Sequence, residues 1–242
     1  MQSISFAFGI SSLGIVLMGI FLFIYYTLRA YRVKNSLIFL MGLSIVLTSA
    51  AWLDNAISFV MLLTSGTQLS IETAVFITTP VFSVGLILWN LTVYLLLKQR
   101  TSLIGLLIVC IHVVVLLYLI TFSFSEYISS SQIGDFIIPE YATICAVMIL
   151  LIVVVSMLNV SFRFLSFTRD IKNNPEEYGK CMGLGVGTFL YGLFAIIDGA
   201  LELSVVMVIL IRVLVIFALV IISVAVLHPM VIAKVLRYNE SQ

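Results

Sequence analysis

The residues able to do chemistry in this sequence are a few ionisable side chains set inside apolar stretches. Arg212 lies in VILIRVLVI, Asp54 in AWLDNAIS and Asp198 in AIIDGALEL, where Glu202 follows four residues later. A charge at the centre of a membrane-spanning helix costs about 2.5–3.5 kcal/mol on insertion scales, so each of these groups requires a partner or a water-filled cavity. Asp198 and Glu202, spaced i and i+4, share one helix face. They form an acidic ladder directed at Arg212, and Asn55 adds an amide beside Asp54. Two readings follow. Arg212 pairs with Asp54 or Asp198 to fix helix packing, or the group forms a polar pocket, open to the outside, for an ion or a small polar ligand. His112 has the same two sides: a proton relay, with an ordinary pKa of about 6.5, or a neutral hydrogen-bonded core residue.

Other chemistry is excluded by what the sequence lacks. It contains no HExxH, GxSxG or paired-histidine motif, so an enzyme is not expected. Cys110, Cys145 and Cys181 have no CxxC or Cys/His companions and read as small buried hydrophobes, without metal or disulfide. Gly183, Gly185, Gly187, Gly192 and Gly199 resemble a glycine loop only in number, because no strand precedes them and no Lys-Ser/Thr follows. Their spacing suits close helix approach, either within the chain or in a homodimer.

The elements that must carry these groups are helices. Of the 242 residues 62% are hydrophobic and 10% charged, with mean hydropathy +1.26, against roughly a quarter charged in a soluble domain. Twelve Lys+Arg against 11 Asp+Glu leave a net charge of +1, which gives nucleic acid no basic surface to bind. About 20 apolar residues cross a bilayer, and seven stretches qualify: 5–28, 36–63, 73–97, 102–124, 139–162, 181–202 and 204–228. The expected fold is therefore all-α: a polytopic seven-transmembrane-helix bundle forming one domain over 1–242, in the cell membrane. The first basic residue is Arg29, so the first span is expected to be retained as an anchor rather than cleaved.

Charge placement orients the bundle. Eleven of the 12 Lys+Arg (all but Arg212) fall after spans one, three, five and seven, which puts the N-terminus outside and the C-terminus inside. Pro80 either starts a short third span or kinks a longer one. Pro139-Glu140 suits the start of the fifth span, and Asn173-Asn174-Pro175-Glu176-Glu177 a turn with an acidic first helical turn. His228-Pro229 marks the inner end of the seventh span. Asn90 and Asn159 read as interhelical hydrogen-bonding groups. Arg163, Phe164, Phe167, Arg169 and Lys172 form a basic-aromatic extension of the fifth span, either a headgroup anchor or a cytoplasmic docking surface. An A-x-x-D-x-A pattern recurs at Ala51–Ala56 and Ala195–Ala200, grouping the spans as a possible 3+1+3 repeat.

In outline the layout resembles microbial rhodopsins, but those attach retinal through a lysine in the seventh helix, where this chain has only Arg212; no covalent retinal, and no other cofactor, is expected. The 3+1+3 grouping is similar to sugar exporters with a Pro-Gln signature, a dipeptide missing here. The basic residues after the first span (Arg29, Arg32, Lys34), the inner loop with Asn174-Pro175 and the glycine-rich sixth span resemble the seven-helix sensor modules found at the N-terminus of some histidine kinases. That resemblance implies a sensing role with output through a separate cytoplasmic signalling protein. The expected function is a receptor-like sensor. A small-solute or ion transporter or channel, or a membrane assembly subunit, are the alternatives.

Overall fold

The computed structural model describes residues 3–97, 100–122, 128–133, 135–141, 143–169, 171, 173–200 and 204–237. Helix α1 (Ser3–Val33) is followed by α2 (Ser36–Thr48), a 3-10 turn (Ser49–Trp52) and α3 (Leu53–Ser65), then by α4 (Ile71–Leu97) and α5 (Arg100–Phe122). A hairpin of β1 (Ile128–Ile133) and β2 (Phe136–Tyr141) leads to α6 (Thr143–Val153), a π-helical turn (Val154–Leu158) and α7 (Asn159–Phe167). Helices α8 (Pro175–Ala200), α9 (Val205–Leu227) and α10 (Pro229–Arg237) follow. Six helical stretches are long and apolar enough to cross a membrane: Ser5–Val33, Ser36–Ser65, Ile71–Leu97, Ala146–Phe167, Pro175–Gly199 and Val206–Leu227. In α5 the apolar stretch is Leu103–Tyr118. The molecule is thus a helical multi-pass membrane protein.

Local chemistry sets the turns. Between α1 and α2 the chain reverses through Lys34, in the left-handed region at φ 51, and Asn35, whose side chain accepts from the Leu37 N–H at 3.0 Å and caps α2. Gly66, at φ 69, ends α3 in the conformation that glycine adopts without Cβ strain. Pro175 opens α8 with Glu176 and Glu177 in its first turn, and the Asn174 side chain accepts from the Glu177 N–H at 3.3 Å. That helix starts six residues before the expected 181. Pro80 falls inside α4, which takes the longer of the two forms open to the third span.

Two features depart from the sequence reading. Pro139 and Glu140 do not start the fifth span; they lie in β2, paired with Ser130 and Ser129, and the helix begins at Thr143. The hairpin is held by distant groups: Asp135 N–H donates to Ser5 Oγ at 2.9 Å and Ile137 N–H to Gln68 Oε1 at 3.0 Å, while Phe136 is fully buried with its ring 5.2 Å from that of Phe8. The second span is also interrupted, at Ser49–Trp52.

The core runs through the bundle along Ile15, Tyr26, Ile45, Leu86, Leu116 and Leu219. Helix α1 packs on α2, α3 and α9; α4 packs on α2 and α5; and α8 packs on α7 and α9. The glycines of α8 serve two of these contacts rather than one common face. A Cβ at Gly187 would stand 3.1 Å from Ile222 N, and Gly183 likewise abuts Ala225 of α9; Gly185 and Gly192 instead face Leu165 and Met157. Gly199 has open space on its Cβ side.

Candidate functional site

The interruption of the second span creates a fresh helix start deep in the chain. Thr48 and Ser49 turn their hydroxyls back on the Ile45 carbonyl at 3.0 and 2.9 Å, a local competition with the helical ladder. The backbone tightens into the 3-10 turn and restarts at Leu53. Asp54 consequently occupies the first turn of α3, where unpaired N–H groups and the helix dipole favour a negative charge. Its Oδ1 also accepts from Asn55 Nδ2 at 3.2 Å, and only 7% of the residue is exposed.

Arg212, 4% exposed, is the hub of a polar cluster. Its Nε donates to Asp198 Oδ2 at 3.2 Å. Its Nη1 donates to Ser12 Oγ at 2.6 Å, Phe8 O at 3.1 Å and Ser11 Oγ at 3.4 Å, and the guanidinium carbon lies 4.1 Å from the centre of the Phe8 ring. Asp198 Oδ2 accepts a second donor, Trp52 Nε1, at 2.7 Å. The pair therefore ties α1, the 3-10 turn, α8 and α9 together. Asp54 forms no salt bridge with Arg212 among the described residues.

Beside this cluster is a cavity of about 220 Å³. Trp52, Thr78, Thr79, Phe82, Leu116, Ile149, Ala195 and Gly199 contribute to its wall, which is otherwise aliphatic. Among the described residues Asp198 is the only charged one of the wall. Its side chain is 8% exposed, and its Oδ1 is buried with no hydrogen-bond partner among the described residues. One carboxylate thus has one oxygen committed to the helix cluster and the other buried and uncommitted, while the residue itself lines the cavity. Neither Asp54 nor Arg212 lines the cavity.

The remaining candidates are dispersed. Glu202 and Lys172 lie outside the described residues. His112 is half-buried and donates from Nδ1 to the Ile108 carbonyl of its own helix at 2.8 Å, away from the cluster. Asn90 donates from Nδ2 to Leu86 O of its own helix, one turn back, at 2.9 Å. Asn159 accepts from Arg163 Nε at 2.9 Å and places its amide against Gly105 of α5. Phe164 is buried and Phe167 packs on the core, leaving Arg169 exposed on the basic-aromatic segment. Among the described residues no group of three His, Cys, Asp or Glu side chains could hold a metal ion.

Sequence reasoning missed Trp52, Phe8, Ser11 and Ser12. A usable signal existed for the first span: Ser5 and Ser12 are seven residues apart, hence on nearly one face of an otherwise apolar helix. Both are fully buried, one against the hairpin and the other against Arg212. Compared with known proteins, the chain matches no family model, no curated protein and no solved structure.

Proposed function

We propose that the chain is a receptor-like sensory protein of the cell membrane, with seven spans, the N-terminus outside and the C-terminus inside. A small molecule binds in the cavity beside Asp198, and the change passes to a separate cytoplasmic protein. The observation that carries this reading is the double membership of Asp198, which lines the cavity and also anchors the cluster joining four helical segments. A ligand seated against Asp198 that prefers one arrangement of those segments over another supplies the differential affinity that any switch requires.

The seventh crossing is α5, whose 23 residues would extend about 34 Å. The one-sided distribution of 11 basic residues supports the orientation, and the paired A-x-x-D-x-A segments are compatible with a 3+1+3 grouping. Arg169 and the loop around it form the inner surface offered to a partner. A carrier would need a path to the inner face. Below the Asp198 cavity, however, the space among Thr48, Trp89, Thr188 and Tyr191 is about 10 Å³, room for no more than about one water.

The test is gentle purification from native membranes followed by stoichiometry of the co-purifying proteins. The sensor reading expects a partner at near-equal amount whose activity changes in Asp198→Asn. A chain that purifies alone and conducts solute into liposomes by itself would overturn it in favour of transport.

A further inference from the structure

We infer that the β1–β2 hairpin is a strap that sets the buried ion pair through Phe8, so that seating or lifting the hairpin changes how Arg212 and Asp198 are held. This rests on the sensory reading for its purpose but not for its existence. Phe136 of β2 is fully buried and joins Phe8 of α1, Phe59 of α3 and Val208 of α9 in a small apolar cluster apart from the main core. The Phe8 and Phe136 rings are 5.2 Å apart. The same Phe8 supports the cation: the guanidinium carbon of Arg212 lies 4.1 Å from its ring centre, and Arg212 Nη1 donates to its carbonyl at 3.1 Å. One residue thus touches both the hairpin and the ion pair.

The first turns of α1 make the link stiff. Asp135 N–H donates to Ser5 Oγ at 2.9 Å and Arg212 Nη1 to Ser12 Oγ at 2.6 Å, and both serines are fully buried. Seven residues span about 10 Å of helix and return to nearly the same face, so the hairpin and Arg212 grip neighbouring turns of one rigid segment. Withdrawing Phe136 leaves the Phe8 ring beside a void, which the surrounding structure fills by relaxing into it. Phe8 then draws away from Arg212. Asp198 Oδ2, held by Arg212 Nε at 3.2 Å and Trp52 Nε1 at 2.7 Å, feels the change, and Asp198 and Trp52 both line the cavity. Linkage makes the coupling reciprocal: whatever weakens the ion pair loosens the hairpin.

The experiment reads that reciprocal effect on the full chain in nanodiscs, where both membrane faces are open to reagent. Ile128→Cys places a thiol at a buried position of β1 in a chain with Cys110, Cys145 and Cys181 replaced, and its rate of modification by a maleimide reports lifting of the hairpin. A parallel chain that keeps buried Cys181 of α8 as its sole thiol reports general opening. Asp198→Asn is expected to speed modification at Ile128→Cys by at least about fivefold, the lower end of ordinary coupling between sites, while the rate at Cys181 stays unchanged. Ser12→Ala, which removes the acceptor at 2.6 Å and keeps both charges, is read alongside and is expected to act in the same direction. In a Phe8→Leu background the gain from either substitution is expected to vanish. An unchanged rate in both variants, a gain that persists with Phe8→Leu, or equal acceleration at Cys181 would overturn the proposal. Faster modification as described with no responsive partner keeps the strap and removes the sensory reading. A responsive partner with unchanged modification does the reverse.

Discussion

Replacing Arg212 with methionine keeps an apolar stem in α9 and deletes every donor of the hub. Asp198 Oδ2 loses its contact at 3.2 Å and retains only Trp52 Nε1 at 2.7 Å, while the Phe8 carbonyl, Ser11 and Ser12 lose Nη1. Removing one partner of a buried pair strands the other charge, which costs about 3–5 kcal/mol. Arg212→Met is therefore expected to destabilise the protein by that amount, whereas Arg212→Met combined with Asp198→Leu, which leaves no stranded charge, is expected to return to within about 1–2 kcal/mol of the native protein. The cycle is closed by Asp198→Leu alone, and the coupling should be about 2 kcal/mol or more. Reversible unfolding in mixed micelles reads all four forms. Costs that simply add to within about 0.5 kcal/mol would refute the claim that the two groups act as a pair.

Other expectations concern the frame around the pair. Gly85 lies where a Cβ would stand 2.6 Å from Thr48 N and 2.7 Å from Leu47 C, both backbone atoms, so Gly85→Leu should cost about 1–3 kcal/mol or more in the same unfolding assay; a neutral effect would mean that α2 and α4 are not so close. Phe136→Ala removes a fully buried ring from the hairpin and should destabilise by about 3 kcal/mol, together with faster proteolytic cutting between 128 and 141. Orientation is checked with single cysteines in a background lacking Cys110, Cys145 and Cys181. Thr67→Cys should react with a membrane-impermeant maleimide on intact cells and Asn173→Cys only after permeabilisation, both sites being exposed; the opposite pattern would invert the topology.

The helices were legible because twenty-residue apolar runs have few other solutions in a chain this hydrophobic. The Asp198–Arg212 pair was visible as one of two options, since both residues are charges at interior positions. Choosing between Asp54 and Asp198 required knowing that the second span breaks at Ser49–Trp52, and nothing in SAAW announces a 3-10 turn. The hairpin was hidden for a different reason. ISSSQI and FIIPEY lack the alternation of a half-buried strand pair, and their anchors, Ser5 and Gln68, are 130 and 69 residues away from the groups they bind. Trp52 and Ser12 escaped because an indole or a hydroxyl in an apolar helix gains meaning only from the neighbour it meets. The cavity is a property of five packed segments and has no signature in any one of them.

The placement of the ion pair also bears on how the protein is made. Asp198 and Arg212 are 14 residues apart, on the two arms of the helical hairpin formed by α8 and α9. Presented alone, each arm carries a group that the bilayer resists by about 2.5–3.5 kcal/mol. Entering together, the arms can close the carboxylate on the guanidinium before any earlier helix is consulted, and the rest of α9 is aliphatic enough to carry the pair inward. The contacts to Ser12 and Trp52 then come from helices already in place. The α8–α9 hairpin thus carries its charges balanced between its own arms, and its docking ties α1 to α9 through Ser12 and Arg212.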